Sequence, residues 1–343
     1  MRDVFGRGGL VAAIMLLGAS APGLAADKVV VGMINSMSDA PFFLAIDNGY
    51  FKDEGIDAQL ELSPSLANQV APLSIGELDV ASGAISAGVY NAVDRGIPIK
   101  IVADKGRNAP QYGFNAIMVR KDLYDSGKVK SLADLKGGTI AMIGVGSSDL
   151  SVMNEAMKSV GLMYDDIKVT QLALPNHLVA MKNKALEWTL TPDPFATKMV
   201  EEGVAVKLAT VDRFYPNAQQ TVLIYGSRFI KDWPDVAQRF MNAYVRGIRA
   251  YVDGLADGRI AGQNADQVIA SLIKHGREKD AALLRKIVPV WIDPNGQLYV
   301  ASVEKDFQFL AAKGFIKGPV TPAELIDNTF VAAANKKLGP YKN

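Results

Sequence analysis

Lys28-Val29-Val30-Val31-Gly32-Met33-Ile34, then Asn35-Ser36-Met37-Ser38-Asp39, then Ala40-Pro41-Phe42-Phe43-Leu44-Ala45-Ile46-Asp47-Asn48-Gly49 is the stretch on which the fold turns. The first run is β-branched and the length of one strand. The last carries apolar residues at helical spacing and stops at a glycine. Together they read as a strand, a polar turn and a helix. Working outward, residues 58–62 and 78–82 read as strands on either side of a helix over 66–75 that ends at Gly76. A helix over 86–95 closed by Gly96 leads into a strand over 99–103. This alternation predicts a parallel, doubly wound α/β sheet.

A strand over 114–120 and a polar stretch over 121–130 follow, and the pattern then restarts. Strands are expected at 139–143, 167–172, 188–191 and 206–210, with helices over 150–160, 176–184 and 195–202 between them. Residues 221–225 form a β-branched run that can return to the first sheet. From Trp233 onward the chain reads as helices over 236–255, 265–274, 279–287 and 300–312, expected to pack on the first half. No repeat, low-complexity tract or flexible linker intervenes. The two halves are therefore expected to be joined by two extended segments near 110–120 and 215–226, as in a hinge. This gives a first lobe of 26–115 and 222–343 and a second lobe of 116–221.

The N-terminus carries Arg2 and Arg7 ahead of an apolar run over 10–17, too short to span a bilayer, with small residues around Gly23-Leu24-Ala25. That is the pattern of a signal peptide over 1–25, cleaved near Ala25 or Ala26, and it predicts export to the periplasm. The 37 basic and 36 acidic residues lose two and one with that segment and then balance, which argues against a nucleic-acid partner. The absence of cysteine excludes disulfides, thiolate metal sites and cysteine nucleophiles. The two histidines, His177 and His275, lie far apart in sequence without metal-ligand spacing. No metal, no cofactor and no embedding in the membrane is expected, and the protein is expected to be monomeric.

Several motifs, taken in order, give a resemblance. They are Pro41-Phe42-Phe43-Leu44-Ala45, Asn48-Gly49-Tyr50-Phe51-Lys52-Asp53-Glu54-Gly55-Ile56, Gly76-Glu77-Leu78-Asp79-Val80-Ala81, Ser131-Leu132-Ala133-Asp134-Leu135-Lys136-Gly137, the turn over 144–148, and Pro192-Asp193-Pro194-Phe195. This chain resembles the periplasmic binding proteins of the nitrate, sulfonate and taurine importers, the SsuA/THI5-like family, through about residue 250. The resemblance implies a two-lobed type II periplasmic binding protein fold, each lobe a doubly wound mixed sheet flanked by helices. It also implies an ABC importer permease as partner. Many relatives carry Glu-Pro-Phe where this chain has Asp193-Pro194-Phe195.

Ligands of open α/β sheets bind beyond the carboxyl ends of the strands, so the turns there hold the candidate site residues. After the first strand come Ser38, Asp39 and Phe42; a helix cap accounts equally well for the first two, and core packing for Phe42. Gly83 and Ala84 end another strand with small residues that allow close approach. Gly146, Ser147 and Ser148 open a helix after an apolar strand, an arrangement suited to an anion, although Asp149 competes for the same dipole. Missing are the third glycine of a dinucleotide fingerprint and the lysine of a P-loop. Trp188, Thr191 and Asp193 flank a second-lobe strand; Trp188 offers a stacking face or fills a core, and Asp193 can accept hydrogen bonds. Arg107 can grip a carboxylate or sulfonate.

These residues predict a binding protein that captures a small organic anion, a sulfonate or carboxylate and aromatic in one version, and passes it to a permease. A thiamine-pyrimidine-precursor binding protein is the alternative. An enzyme on the same scaffold is disfavoured, since the thiamine-pyrimidine synthases carry a cysteine-rich motif and this chain has no cysteine. A periplasmic sensor shares every sequence feature of a transporter component.

Overall fold

The computed structural model describes residues 25–342, and the expected signal peptide, Ala25 apart, lies outside the described residues. The opening stretch forms β1 (Asp27–Met33), a short polar turn and α1 (Ala40–Asp47), with Pro41 in the first helical turn where its missing N–H costs nothing. Gly49, at φ +72°, then lets the chain reverse direction. β1 pairs in parallel with β2 (Ile56–Leu62) and β3 (Val80–Ala84). Between them runs α2 (Leu66–Ile75), capped by the Ser65 hydroxyl and stopped at Gly76. α3 (Ala87–Asp94) leads to β4 (Ile99–Asn108).

The sheet closes with β10 (Ala218–Gly226), which runs antiparallel to both β3 and β4 and gives the order β2-β1-β3-β10-β4. A second mixed sheet, in the order β7-β6-β8-β5-β9, is built from β5 (Asn115–Arg120), β6 (Thr139–Met142), β7 (Lys168–Gln171), β8 (Trp188–Pro192) and β9 (Ala205–Thr210). Its helices are α4 (Ser148–Lys158), α5 (Leu174–Lys182) and α6 (Phe195–Glu201). The chain passes between the sheets at 109–114 and at 211–217. The expected α/β class with two mixed sheets is thus observed.

β4 extends five residues past the expected strand. Asp104-Lys105-Gly106-Arg107-Asn108 reads as a loop in sequence, yet it pairs with β10 through several register shifts. Its charged side chains can be buried there because each meets a partner, described below.

The C-terminal part is α7 (Pro234–Val252), α8 (Ala265–His275), α9 (Ala281–Lys286), α10 (Val300–Ala312) and α11 (Thr329–Leu338). α7 lays Phe240, Tyr244 and Ile248 on α1, where Phe42, Phe43 and Leu44 are buried from solvent. Each such side chain stabilises by about 1.5–3 kcal/mol through burial. α10 packs on the first half as expected, with the Phe307 ring 5.0 Å from that of Tyr90 and Ser302 Oγ accepting from the Gln219 N–H at 2.8 Å. It also reaches the second, where Lys305 pairs with Glu155 of α4 at 2.5 Å and Lys313 with Asp165 at 2.6 Å.

Candidate functional site

The carboxyl ends of β1, β3 and β4 point toward those of β6 and β8, and the passages between the sheets lie among them. On the first-sheet side, the Asp39 carboxylate accepts a hydrogen bond from the Ser36 N–H at 2.7 Å and pairs with the Lys105 ammonium at 2.8 Å. Both side chains are completely buried. Lys105 also donates to Ser38 Oγ at 2.6 Å. A buried charge of this kind persists only with a close counter-charge and further hydrogen bonds, which the turn after β1 supplies. The residues singled out there therefore do more than cap a helix: Asp39 neutralises Lys105 of β4, and Ser38 accepts a hydrogen bond from it.

Next to Lys105, Gly106 lets three elements converge. A Cβ at that position would stand 2.7 Å from Thr221 Oγ1 and 2.6 Å from Val290 Cγ2. Asp104, on the other side, accepts from the Gly106 N–H (2.7 Å), Gln219 Nε2 (2.6 Å) and the Asp293 N–H (2.8 Å). Burial pushes its carboxyl up to about 6, against the pull of Arg107 and those hydrogen bonds.

At the passages, carboxamides form a chain. Asn115 Nδ2 donates to Gln220 Oε1 at 3.0 Å, and the Asn115 N–H donates to Asn108 Oδ1 at 3.3 Å. This links the start of β5 to the ends of β4 and β10. The other ends of these groups are free: Asn108 Nδ2 and Gln220 Nε2 are buried without a hydrogen-bond partner among the described residues, and so are Thr221 Oγ1, Ser148 Oγ and Arg107 Nε. Buried polar atoms are normally satisfied, so these unpartnered groups make this crossing a candidate site.

On the second-sheet side, the turn after β6 is stitched to the turn after β3. Ser86 and Ser147 form an isolated antiparallel bridge, the Ala87 N–H donates to Gly146 O at 2.8 Å, and the Ser148 N–H donates to Ile85 O at 3.1 Å. Gly146, at φ +83°, faces the Phe315 ring. The anion cradle expected at the start of α4 is thus partly occupied by a carbonyl. Asp149 stands in the same turn, its carboxyl pushed up to about 6 by burial, with Ser147 hydrogen bonding opposing the shift.

The remaining singled-out residues divide by position. Ala84 pairs with Thr221 across β3 and β10, and Gly83 is held against Leu66 of α2. Arg107 lies at the site, but its guanidinium meets Asp293 at 3.4 Å and covers the Tyr299 ring at 5.8 Å. Thr191 is buried beside His177, whose Nδ1 stands 2.9 Å from its hydroxyl and 2.7 Å from that of Thr189. The His177 Nε2 faces Leu172 O at 2.9 Å, and burial lowers the imidazole pKa. Phe42 packs on Tyr244 with ring centroids 5.0 Å apart, in the first core. Trp188 lies at the opposite end of β8 from Asp193, opposite Val119, in the second core. The Asp193 carboxylate faces Thr197, Lys207 and Val288.

Sequence reading missed Lys105, Asn108, Asn115, Gln220 and Thr221. Asn115, Gln220 and Thr221 fall in the segments 110–120 and 215–226, whose polarity suits a hinge, and Lys105 and Asn108 in the stretch after residue 103 that reads as a loop. It also missed residues 287–293, which run beside β4: the Arg107 N–H donates to Trp291 O at 2.9 Å, and the Trp291 ring packs on Tyr112 at 4.9 Å.

Two mixed sheets whose strand ends face each other across paired crossings define a two-lobed binding-protein architecture. Residues 36–253 match the family model described as NMT1/THI5 like, and the chain belongs to that family. Among characterised proteins it is similar to the riboflavin-binding protein RibY of Chloroflexus aurantiacus, at 23% identity over 90% of this chain and 87% of the relative. Among solved structures it is similar to the periplasmic aliphatic sulphonate binding protein SsuA of Escherichia coli, with a TM-score of 0.68 and 16% identity, covering 88% of this chain and 92% of the other. It is similar in fold to the desulfurization enzyme DSZB as well, with a TM-score of 0.61 and 12% identity, covering 91% and 100%. The fold is the periplasmic binding protein fold. No helix among the described residues is long and apolar enough to cross a membrane.

Proposed function

We propose that this protein is the exported solute-binding component of an ABC importer, holding one small organic molecule between its lobes in the periplasm and presenting it, as a monomer, to a membrane permease. The observation that carries this reading is the set of unsatisfied buried donors and hydroxyls at Arg107 and Asn108 of β4, Gln220 and Thr221 of β10, and Ser148 at the start of α4, the first four from the first lobe and the last from the second. A solute that satisfies them touches both lobes at once and so favours the closed form by its differential affinity. Catalysis has less support: the titratable groups around these atoms are engaged with one another, as Asp39 is with Lys105 and Asp193 with Lys207.

The ligand class follows from the same pairing. Lys105, Arg107 and Lys207 each face a carboxylate, so no cation here is left uncompensated. An anion would have to displace one of those partners. An uncharged molecule bearing carbonyl or ring-nitrogen acceptors meets the free amide N–H groups directly, and it is the reading favoured over the organic anion; the name of the riboflavin-binding relative is compatible with it. Ser38, Gly83, Ala84, Gly146, Ser147 and Ser148 line the proposed cleft.

A thermal-shift comparison of isosteric pairs, benzamide against benzoate and orotamide against orotate, with an alkylsulfonate alongside, tests this. The expected result is a raised Tm with the uncharged members; a ligand at 100 times its Kd stabilises by about 2.7 kcal/mol. A rise with anions alone would replace the ligand class, and conversion of the added compound to a product would replace binding by catalysis.

A further inference from the structure

We propose that Asp193 is a closure latch, a positioning residue whose carboxylate ties the tip of β8 in the second lobe to the segment 287–292 that runs along the first. Asp193 is only 5% exposed. Its Oδ1 accepts from the Thr197 N–H at 2.8 Å, capping the first turn of α6. Its Oδ2 accepts from the Val288 N–H at 2.8 Å. Lys207 Nζ stands 3.0 Å from Oδ2 and 3.3 Å from Oδ1, and reaches Thr197 Oγ1 at 2.9 Å.

Val288 belongs to a segment fixed to the first sheet within five residues. Val290 packs on Gly106, the Arg107 N–H donates to Trp291 O, and the Asp293 N–H donates to Asp104 Oδ2. The bond from Val288 to Asp193 is therefore a direct tie between lobes, and the Lys286–Glu201 ion pair between α9 and α6 lies beside it.

Two features suit this bond to a reversible role. Ionised carboxylates accept about four hydrogen bonds, and those of Asp193 are taken, which leaves little capacity for a solute. When the lobes part, Asp193 keeps Thr197 and Lys207 and gives up Val288 alone. No buried charge is stranded by opening, so the cost is that of a single charge-assisted hydrogen bond. A shorter acid than glutamate at this position keeps the carboxylate close to the α6 N-terminus, within reach of both donors.

The proposal rests on the two-lobed binding reading, and its test needs no solute. Amide hydrogen exchange and small-angle scattering are measured on the full-length, ligand-free protein and on two variants. In Asp193→Asn, exchange at the Val288 amide is expected to accelerate roughly tenfold, with a larger radius of gyration. In Val288→Pro the donor is removed while Thr197 and Lys207 stay bonded. The same expansion is expected, with exchange at the Thr197 amide unchanged. If Asp193→Asn does not fold, Val288→Pro alone decides. Unchanged dimensions in Val288→Pro, or unchanged Val288 exchange in a folded Asp193→Asn, overturn the latch. A solute screen without a hit would overturn the binding reading and leave these measurements untouched.

Discussion

Thr221 Oγ1 is a buried hydroxyl without a hydrogen-bond partner among the described residues, and that makes Thr221→Val informative. Valine keeps the shape and the strand propensity and removes only an unsatisfied polar atom, so the ligand-free Tm should stay level or rise. If the hydroxyl serves a solute, affinity should fall five- to tenfold, about 1 kcal/mol for one neutral hydrogen bond. Calorimetry on the best compound from the isosteric screen reads this, and an unchanged affinity removes Thr221 from the site. At this scale the sequence was partly readable. Ser38 and Asp39 were found because a strand end followed by a cap signal is a local pattern. Asn108, Asn115 and Gln220 were not, because an amide's role depends on which neighbours face it, and these lie about a hundred residues apart in the chain for Asn115 and Gln220.

Among elements, the packing of α4 against α10 hides a titratable cluster. Tyr215 OH donates to Asp306 Oδ1 at 2.7 Å, and Ser302 donates to Tyr215 OH at 3.3 Å. Burial pushes the Asp306 carboxyl up to about 7, with Asp149 adding to the rise and Ser151, Tyr215 and Lys305 opposing it. The folded protein thus binds this proton more tightly than the unfolded chain. Stability contributed by the protonated group is complete below the unfolded pKa near 4 and is lost as pH rises to about 7. Asp306→Asn, which keeps the acceptor for Tyr215 and places an amide N–H where Oδ2 lacks a partner, should flatten that decline and raise the Tm above pH 7 by a few degrees. Thermal melts from pH 4 to 8 check it; parallel curves for the two proteins would refute it. The helices themselves are legible from their apolar spacing, but nothing local in residues 300–312 announces that this helix, packed on the first half, also reaches the second.

For the whole molecule, the bridge between Ser86 and Ser147 gives a way to hold the lobes together. Bridge partners have Cα atoms about 4.5–5.5 Å apart, within disulfide range, and the chain has no other cysteine to interfere. Ser86→Cys with Ser147→Cys should, when oxidised, slow solute entry and release at least tenfold and abolish any change in scattering on adding solute; reduction should restore both. Exchange at the wild-type rate in the oxidised form would show that access does not require the lobes to part. Alternating strands and helices, the second start near residue 139 and the helical C-terminal part followed from periodicity in the sequence, because each element buries a face set by spacings of two or three to four residues. The sequence thus determined an α/β chain of two sheets and the family it belongs to. Which charges cancel, which amides are left free and where residues 287–293 lie were decided only by the tertiary structure, since each depends on contacts between segments far apart in the chain that no local pattern encodes.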